Sequence, residues 1–140
     1  GDRGEALTTE LWWSPNHPFS SGFNGQTSAE LAAAYEEATG NVWTMPLGFK
    51  HSLFEIAIDA LRRTEDPSDP ASIRDAIAAT DYASIVGPIN FQTGPVPNIS
   101  KTPLVGGQWR IVDGKPVIDI VENGDHPNIA KTADVRLIGN

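Results

Sequence analysis

Three histidines, His17, His51 and His126, are the side chains in this 140-residue chain best suited to chemistry near neutral pH. They are widely separated, and no two stand at the i,i+4 spacing of an HExxH motif, so they do not read as a metal set. A catalytic site needs a nucleophile with a base, or two carboxylates in one pocket. Ser20-Ser21-Gly22 lies in a loop-like stretch and not in the strand–turn–helix elbow of a GxSxG nucleophile. Glu55 and Asp59 read as surface acids of a helix that pair with Arg62 and Arg63. No Gly-rich loop carries a Lys that could cradle phosphate, and the absence of Cys removes thiol chemistry and Cys-based zinc. The chain is read as a binder and not an enzyme, with no cofactor and no metal. A hydrolase built on His51 is the contrary reading, and a pH-dependent activity lost on His51→Ala is what it requires.

The aromatic residues point to noncovalent recognition. Trp12 and Trp13 are adjacent in a β-like run, so they face opposite ways and at most one can offer its ring to a ligand. The other reading makes one of them core and packs the second on the following segment. Phe49 and His51 open a helix. The His51 imidazole can donate or accept one hydrogen bond to a ligand carboxyl or hydroxyl, or can simply occupy a half-exposed first turn.

Composition narrows the class. Hydrophobic residues are 39%, enough for one domain with a real core, and a net charge of -8 without any Lys/Arg run argues against nucleic acid. No apolar run approaches the roughly 18 residues of a membrane span. The chain does not begin with Met, and residues 1–4 read as a loop or a cut edge. The sequence is therefore expected to be cytosolic, stripped of an export signal, or a piece of something longer.

The elements that must position these residues are punctuated by recognisable signals. Residues 7–13 read as a strand, ended by Pro15 and Pro18, and 14–26 as a crossing segment. Thr27 with Glu30 forms a capping box for a helix over 28–39 that stops at Gly40. The organising helix spans 48–64, with Ser52, Glu55, Asp59, Arg62 and Arg63 on a polar stripe and apolar residues nearly everywhere else. So wide an apolar surface calls for cover on two sides. Asp69-Pro70 starts a third helix running to about Thr80. A strand over 85–91 carries Gly87-Pro88 and so belongs at an edge. Asp113-Gly114 joins 104–112 and 115–121 into a hairpin, with Ile118 and Ile120 inward. A last short strand is expected at 134–138.

This order resembles the C-terminal part of the periplasmic solute-binding proteins of ABC transporters, in the branched-chain amino-acid (Leu/Ile/Val-binding) group. The resemblance rests on the 51–61 helix ending in Ala60-Leu61, the 72–80 helix, Val86-Gly87-Pro88-Ile89-Asn90-Phe91 followed by Gly94, and the 108–121 hairpin. The 27–40 helix with Tyr35 also fits, and the match covers about residues 5–125. It implies an α/β chain, an incomplete part of a two-lobe periplasmic-binding-protein fold: a strand, three helices, an edge strand and a C-terminal β-hairpin. The whole of 1–140 would be the C-terminal portion of a ligand-binding domain. It also implies a small-molecule solute, an amino acid or an aromatic or apolar organic acid, bound in the periplasm for a membrane permease. Trp13, Phe49 and His51 would line the ligand cleft. An incomplete fold is further expected to self-associate. The alternative use of the same fold type is a ligand-sensing ectodomain or regulatory module.

Overall fold

In the computed structural model, which describes residues 4–138, the chain folds as β1 (Thr8–Leu11), α1 (Ser28–Thr39), α2 (Pro46–Arg63), α3 (Pro70–Ala78), β2 (Asp81–Ser84), β3 (Gly87–Asn90), β4 (Val105–Val112) and β5 (Lys115–Glu122). The helix starts follow the capping signals. Thr27 accepts from the Glu30 N–H while Glu30 accepts from the Thr27 N–H, and Gly40 ends α1 with φ 69°. The Asp69 carboxylate accepts from the N–H groups of Ala71 and Ser72 ahead of Pro70. Asp113 (φ 50°) and Gly114 (φ 75°) supply the left-handed pair that a two-residue hairpin turn requires.

β1, β4 and β5 form an antiparallel sheet in the order β1-β4-β5, and β2 and β3 form a separate two-stranded hairpin. Two hydrophobic cores result. One lies under the sheet: Leu11, Val105, Ile118, Ile120 and Ile129. The other lies among the helices: Trp13, Ala32, Ile85, Val86 and Ile89. Trp43 packs against both.

The 85–91 segment departs from the expected single strand. Asp81–Ser84 is itself a strand, and Ile85-Val86 is the turn between β2 and β3. That turn is fully buried because side chains supply its hydrogen bonds. The Ile85 N–H donates to Glu55 Oε2 at 3.1 Å, and the Val86 N–H to Ser84 Oγ at 3.2 Å. Ser28 Oγ lies 3.4 Å from the Ile85 carbonyl. Residues 134–138 form no strand either. The side chain of Gln108 donates to the Arg136 carbonyl and accepts from its N–H, both at 2.8 Å, and so straps the tail over the sheet without a ladder.

α2 reverses the expected facing. Ser52 and Glu55, assigned to the polar stripe, are buried, whereas Leu53 (70% exposed), Phe54 (72%) and Leu61 point outward. Glu55 therefore pairs with a backbone N–H and not with an arginine. Only Asp59 makes the expected i,i+4 pair, to Arg63 at 2.8 Å, and Arg62 lies over the Phe23 ring. The cover expected on two sides is present on one.

Two substitutions test this packing by thermal or urea unfolding followed by circular dichroism. Replacing Glu55 by Ala strands the buried Ile85 N–H and is expected to cost about 1–3 kcal/mol. Gly48→Ala drives a Cβ into the Trp13 ring and is expected to cost about as much through overpacking. Unchanged midpoints in both would remove the buried turn from its central place.

Candidate functional site

The sequence-predicted residues converge on the start of α2, in different roles. Trp13 is fully buried. Its Nε1–H donates to Ser28 Oγ at 3.1 Å, its ring meets Trp43 edge-on at 5.8 Å, and its face lies against Gly48. It backs the site and presents no ring face to a ligand. The alternation anticipated for the pair leaves Trp12 as the half-buried ring, edge-on to Phe49 at 5.7 Å. His51 is half-buried, and its covered Nε2 has no hydrogen-bond partner among the described residues.

A well-formed concavity lies elsewhere, between the α1–α2 connection and the β4–β5 hairpin. It encloses about 680 Å³ and is walled by Trp43, Met45 and Pro46 on one side and by Trp109, Pro116 and Ile118 on the other. This size and apolar lining suit a small organic molecule. Its charged margins are Glu36 and Lys115. Glu36 Oε1 accepts from the Trp43 N–H at 3.2 Å, which holds the connection against the end of α1. None of Trp13, Phe49 and His51 lines this cavity. Sequence reading passed over Trp43 because it lies in a short connection. The available signal was an indole placed between Gly40 and Pro46, where no regular element requires one.

The other histidines do not join the site. Among the described residues no group of three or more His, Cys, Asp or Glu side chains could hold a metal. His17 is buried in the crossing segment, with Nδ1 2.9 Å from Ser14 Oγ and Nε2 without a partner among the described residues. Among the described residues no helix is long and apolar enough to cross a membrane.

Two solved structures share this architecture. A solute-binding protein of an ABC transporter from Rhodopseudomonas palustris BisB5, in complex with 3,4-dihydroxybenzoic acid, aligns over 99% of this chain with a TM-score of 0.64 and 22% identity. A Rhodospirillum rubrum protein described as a branched-chain amino acid ABC transporter aligns over 84% with a TM-score of 0.55 and 24% identity. The chain has the fold of part of a periplasmic solute-binding protein. It spans about a third of the length of these structures, 34% and 32%. No protein-family model and no curated protein matches the sequence significantly.

Burial pushes the His17 imidazole down to about 4, against a smaller opposing contribution from hydrogen bonding at Ser14. The unfolded chain then binds a proton below its ordinary value near 6.5, while the folded chain binds one only near 4. Stability is therefore expected to be full above pH 6.5 and to fall by on the order of 3 kcal/mol as pH drops toward 4. Urea midpoints measured from pH 7 to pH 4, with His17→Gln as the non-titrating comparison, check this. A wild-type profile parallel to that of the variant would contradict it.

Proposed function

We propose that this chain is the C-terminal portion of a periplasmic solute-binding protein, and that it binds a small solute noncovalently for import by an ABC permease. The observation that carries the reading is the cavity against the sheet core, walled by Trp43 and Trp109, in a chain with this fold. The solute is an amino acid or an aromatic or apolar organic acid. Indole walls reward an apolar or aromatic body by about 1–3 kcal/mol through burial and ring contact, and do little for a sugar. The dihydroxybenzoate held by the Rhodopseudomonas protein supports the aromatic-acid end of that range. Phe49 and His51 are proposed to reach the same solute in the assembled two-lobe protein, with Trp12 beside them and Trp13 behind. Closure of two lobes on the solute would shift the population toward the form a permease recognises.

The uncovered side of α2 belongs to this reading. Leu53, Phe54 and Leu61 form an apolar stripe that the remaining two-thirds of such a protein would cover. In its absence the stripe favours self-association.

Titrating tryptophan emission with 3,4-dihydroxybenzoate, phenylalanine, leucine and glucose tests the binding. Saturable changes are expected with the first three and none with glucose. Val42→Asp, which puts a charge on a half-exposed cavity wall away from both cores, is expected to weaken binding by about tenfold or more. Indifference of the emission to every solute at millimolar concentration would sink the reading.

The stripe has its own test. Leu53→Lys with Phe54→Glu is expected to lower self-association, seen by light scattering, and to change the stability of this chain by less than about 0.5 kcal/mol. In a two-lobe protein of full length the same pair is expected to cost about 2–5 kcal/mol, because the positions are then buried. Equal small effects in both would show that nothing covers α2.

A further inference from the structure

The polar partner of a solute in the aromatic cavity can be read from the register of the sheet. The Trp109 N–H donates to the Leu7 carbonyl and the Ala6 N–H donates to the Trp109 carbonyl, both at 2.9 Å, so the peptide groups of Trp109 are used on the β1 side. Trp109 stands opposite Ile118. In an antiparallel ladder the N–H and C=O of Ile118 therefore point away from β4, toward the open edge of β5. The positions on either side obey the same alternation. Ile111 turns its N–H to Glu5 Oε2 at 2.6 Å, which leaves Pro116, opposite it, on the open edge. The outward groups of Ile120 are already satisfied: its N–H donates to Thr132 Oγ1 at 2.9 Å, and its carbonyl accepts from the Thr132 N–H at 2.8 Å.

Between the tail at Thr132 and the proline, which has no N–H to offer, one peptide edge is left: the N–H and C=O of Ile118, flanked by the Pro116 C=O. Among the described residues neither outward group of Ile118 has a hydrogen-bond partner. Ile118 is only 2% exposed, so bulk water hardly reaches it, and both it and Pro116 line the cavity beside Trp109. A covered donor and acceptor without partners, on a residue that lines an apolar cavity, are at a disadvantage until something beside them pairs with them.

We propose that the outward edge of Ile118 is the polar recognition element of this cavity: its N–H binds an oxygen acceptor of the solute, and its C=O or that of Pro116 accepts from an adjacent donor. The inference rests on the solute-binding reading above and narrows it. The solute it selects has an apolar or aromatic body carrying an oxygen acceptor next to a hydroxyl or ammonium donor. The adjacent hydroxyls of a 3,4-dihydroxylated aromatic acid, one accepting and one donating, and the carboxylate and ammonium of an apolar α-amino acid both supply that chemistry. A plain carboxylate such as benzoate satisfies the N–H alone and leaves the carbonyls unpaired.

The test uses amide exchange in the whole chain, resolved residue by residue by NMR, with 3,4-dihydroxybenzoate, phenylalanine and benzoate as probes. Saturation with dihydroxybenzoate or phenylalanine is expected to slow exchange of the Ile118 amide by about tenfold or more. The Val117 and Asp119 amides, which serve the β4 ladder, should stay unchanged. Which of the two probes gives the protection tells the aromatic acid from the amino acid, and either supports the inference. Benzoate is expected to bind about tenfold more weakly than dihydroxybenzoate, the loss of about one hydrogen bond to a covered carbonyl. An amide-to-ester replacement at Ile118 removes the N–H and also weakens the Val117 carbonyl, which serves the β4 ladder. It should weaken binding by about tenfold at a temperature where circular dichroism shows the variant still folded. If solutes change tryptophan emission while Ile118 exchange and the ester variant show no effect, this inference is overturned and solute binding stands. If no solute changes the emission, both fall.

Discussion

The structure depends on the hydrogen bonds that hold the Ile85-Val86 turn inside the helical core. A turn normally lies at the surface because its peptide groups need water. This one is buried, and side chains meet both of its N–H groups and one of its carbonyls, two of them from distant elements. Glu55 on α2 accepts from the Ile85 N–H, Ser84 accepts from the Val86 N–H, and Ser28 at the start of α1 lies beside the Ile85 carbonyl. Ser28 in turn accepts from Trp13. One polar chain thus joins the end of β1, the cap region of α1, the middle of α2 and the β2–β3 hairpin. Its members are almost fully buried, so losing any one leaves a partner unsatisfied in a place where the cost is not screened.

That chain explains the inverted facing of α2. The helix carries Ser52 and Glu55 inward because the core on that side contains a peptide turn and an indole and is not purely apolar. Gly48 faces the same way and lets the Trp13 ring lie against the helix backbone. The apolar residues displaced from this side, Leu53, Phe54 and Leu61, are exposed and have no counterpart among the described residues. Arg63 meanwhile bridges the end of α2 to the Ala76 carbonyl and to Thr80 just past α3, at 2.8 and 3.2 Å, so polar contacts fix the helix pair where both helices end.

What could be read from the sequence was what is local. The Thr27–Glu30 box, the Asp69-Pro70 start, the Gly40 stop and the Asp113-Gly114 turn each act within a few residues, and each landed within two residues of its place. The fold class was legible too, because the order of these elements is distinctive. The facing of α2 was not, since periodicity records which residues share a stripe and not what chemistry the opposing surface offers. The run Ile85-Val86-Gly87-Pro88-Ile89 read as a strand because buried β-branched residues rarely form a turn. The partners that permit it come from residues as distant in sequence as Ser28 and Glu55. At the site, the opposition of Trp12 and Trp13 was readable from alternation, but its sense was fixed by Ser28 and Gly48. The cavity was illegible because its two walls meet only in the fold.

The sheet core gives that cavity its character. Ile118 belongs to that core, Trp43, Met45 and Trp109 pack against it, and all four line the cavity, whereas of the helical core only Trp43 reaches it. The space therefore lies between the sheet and the short α1–α2 connection. That connection is tied back to the end of α1 by Glu36, so its position is set by the helix as well as by the sheet. On β5 the tail pairs at Ile120, and Pro116 has no N–H, which leaves the outward groups of Ile118 beside the same space. Aromatic walls and an unpaired peptide edge therefore both come from a stretch of β4 and β5 that faces a connection instead of another strand.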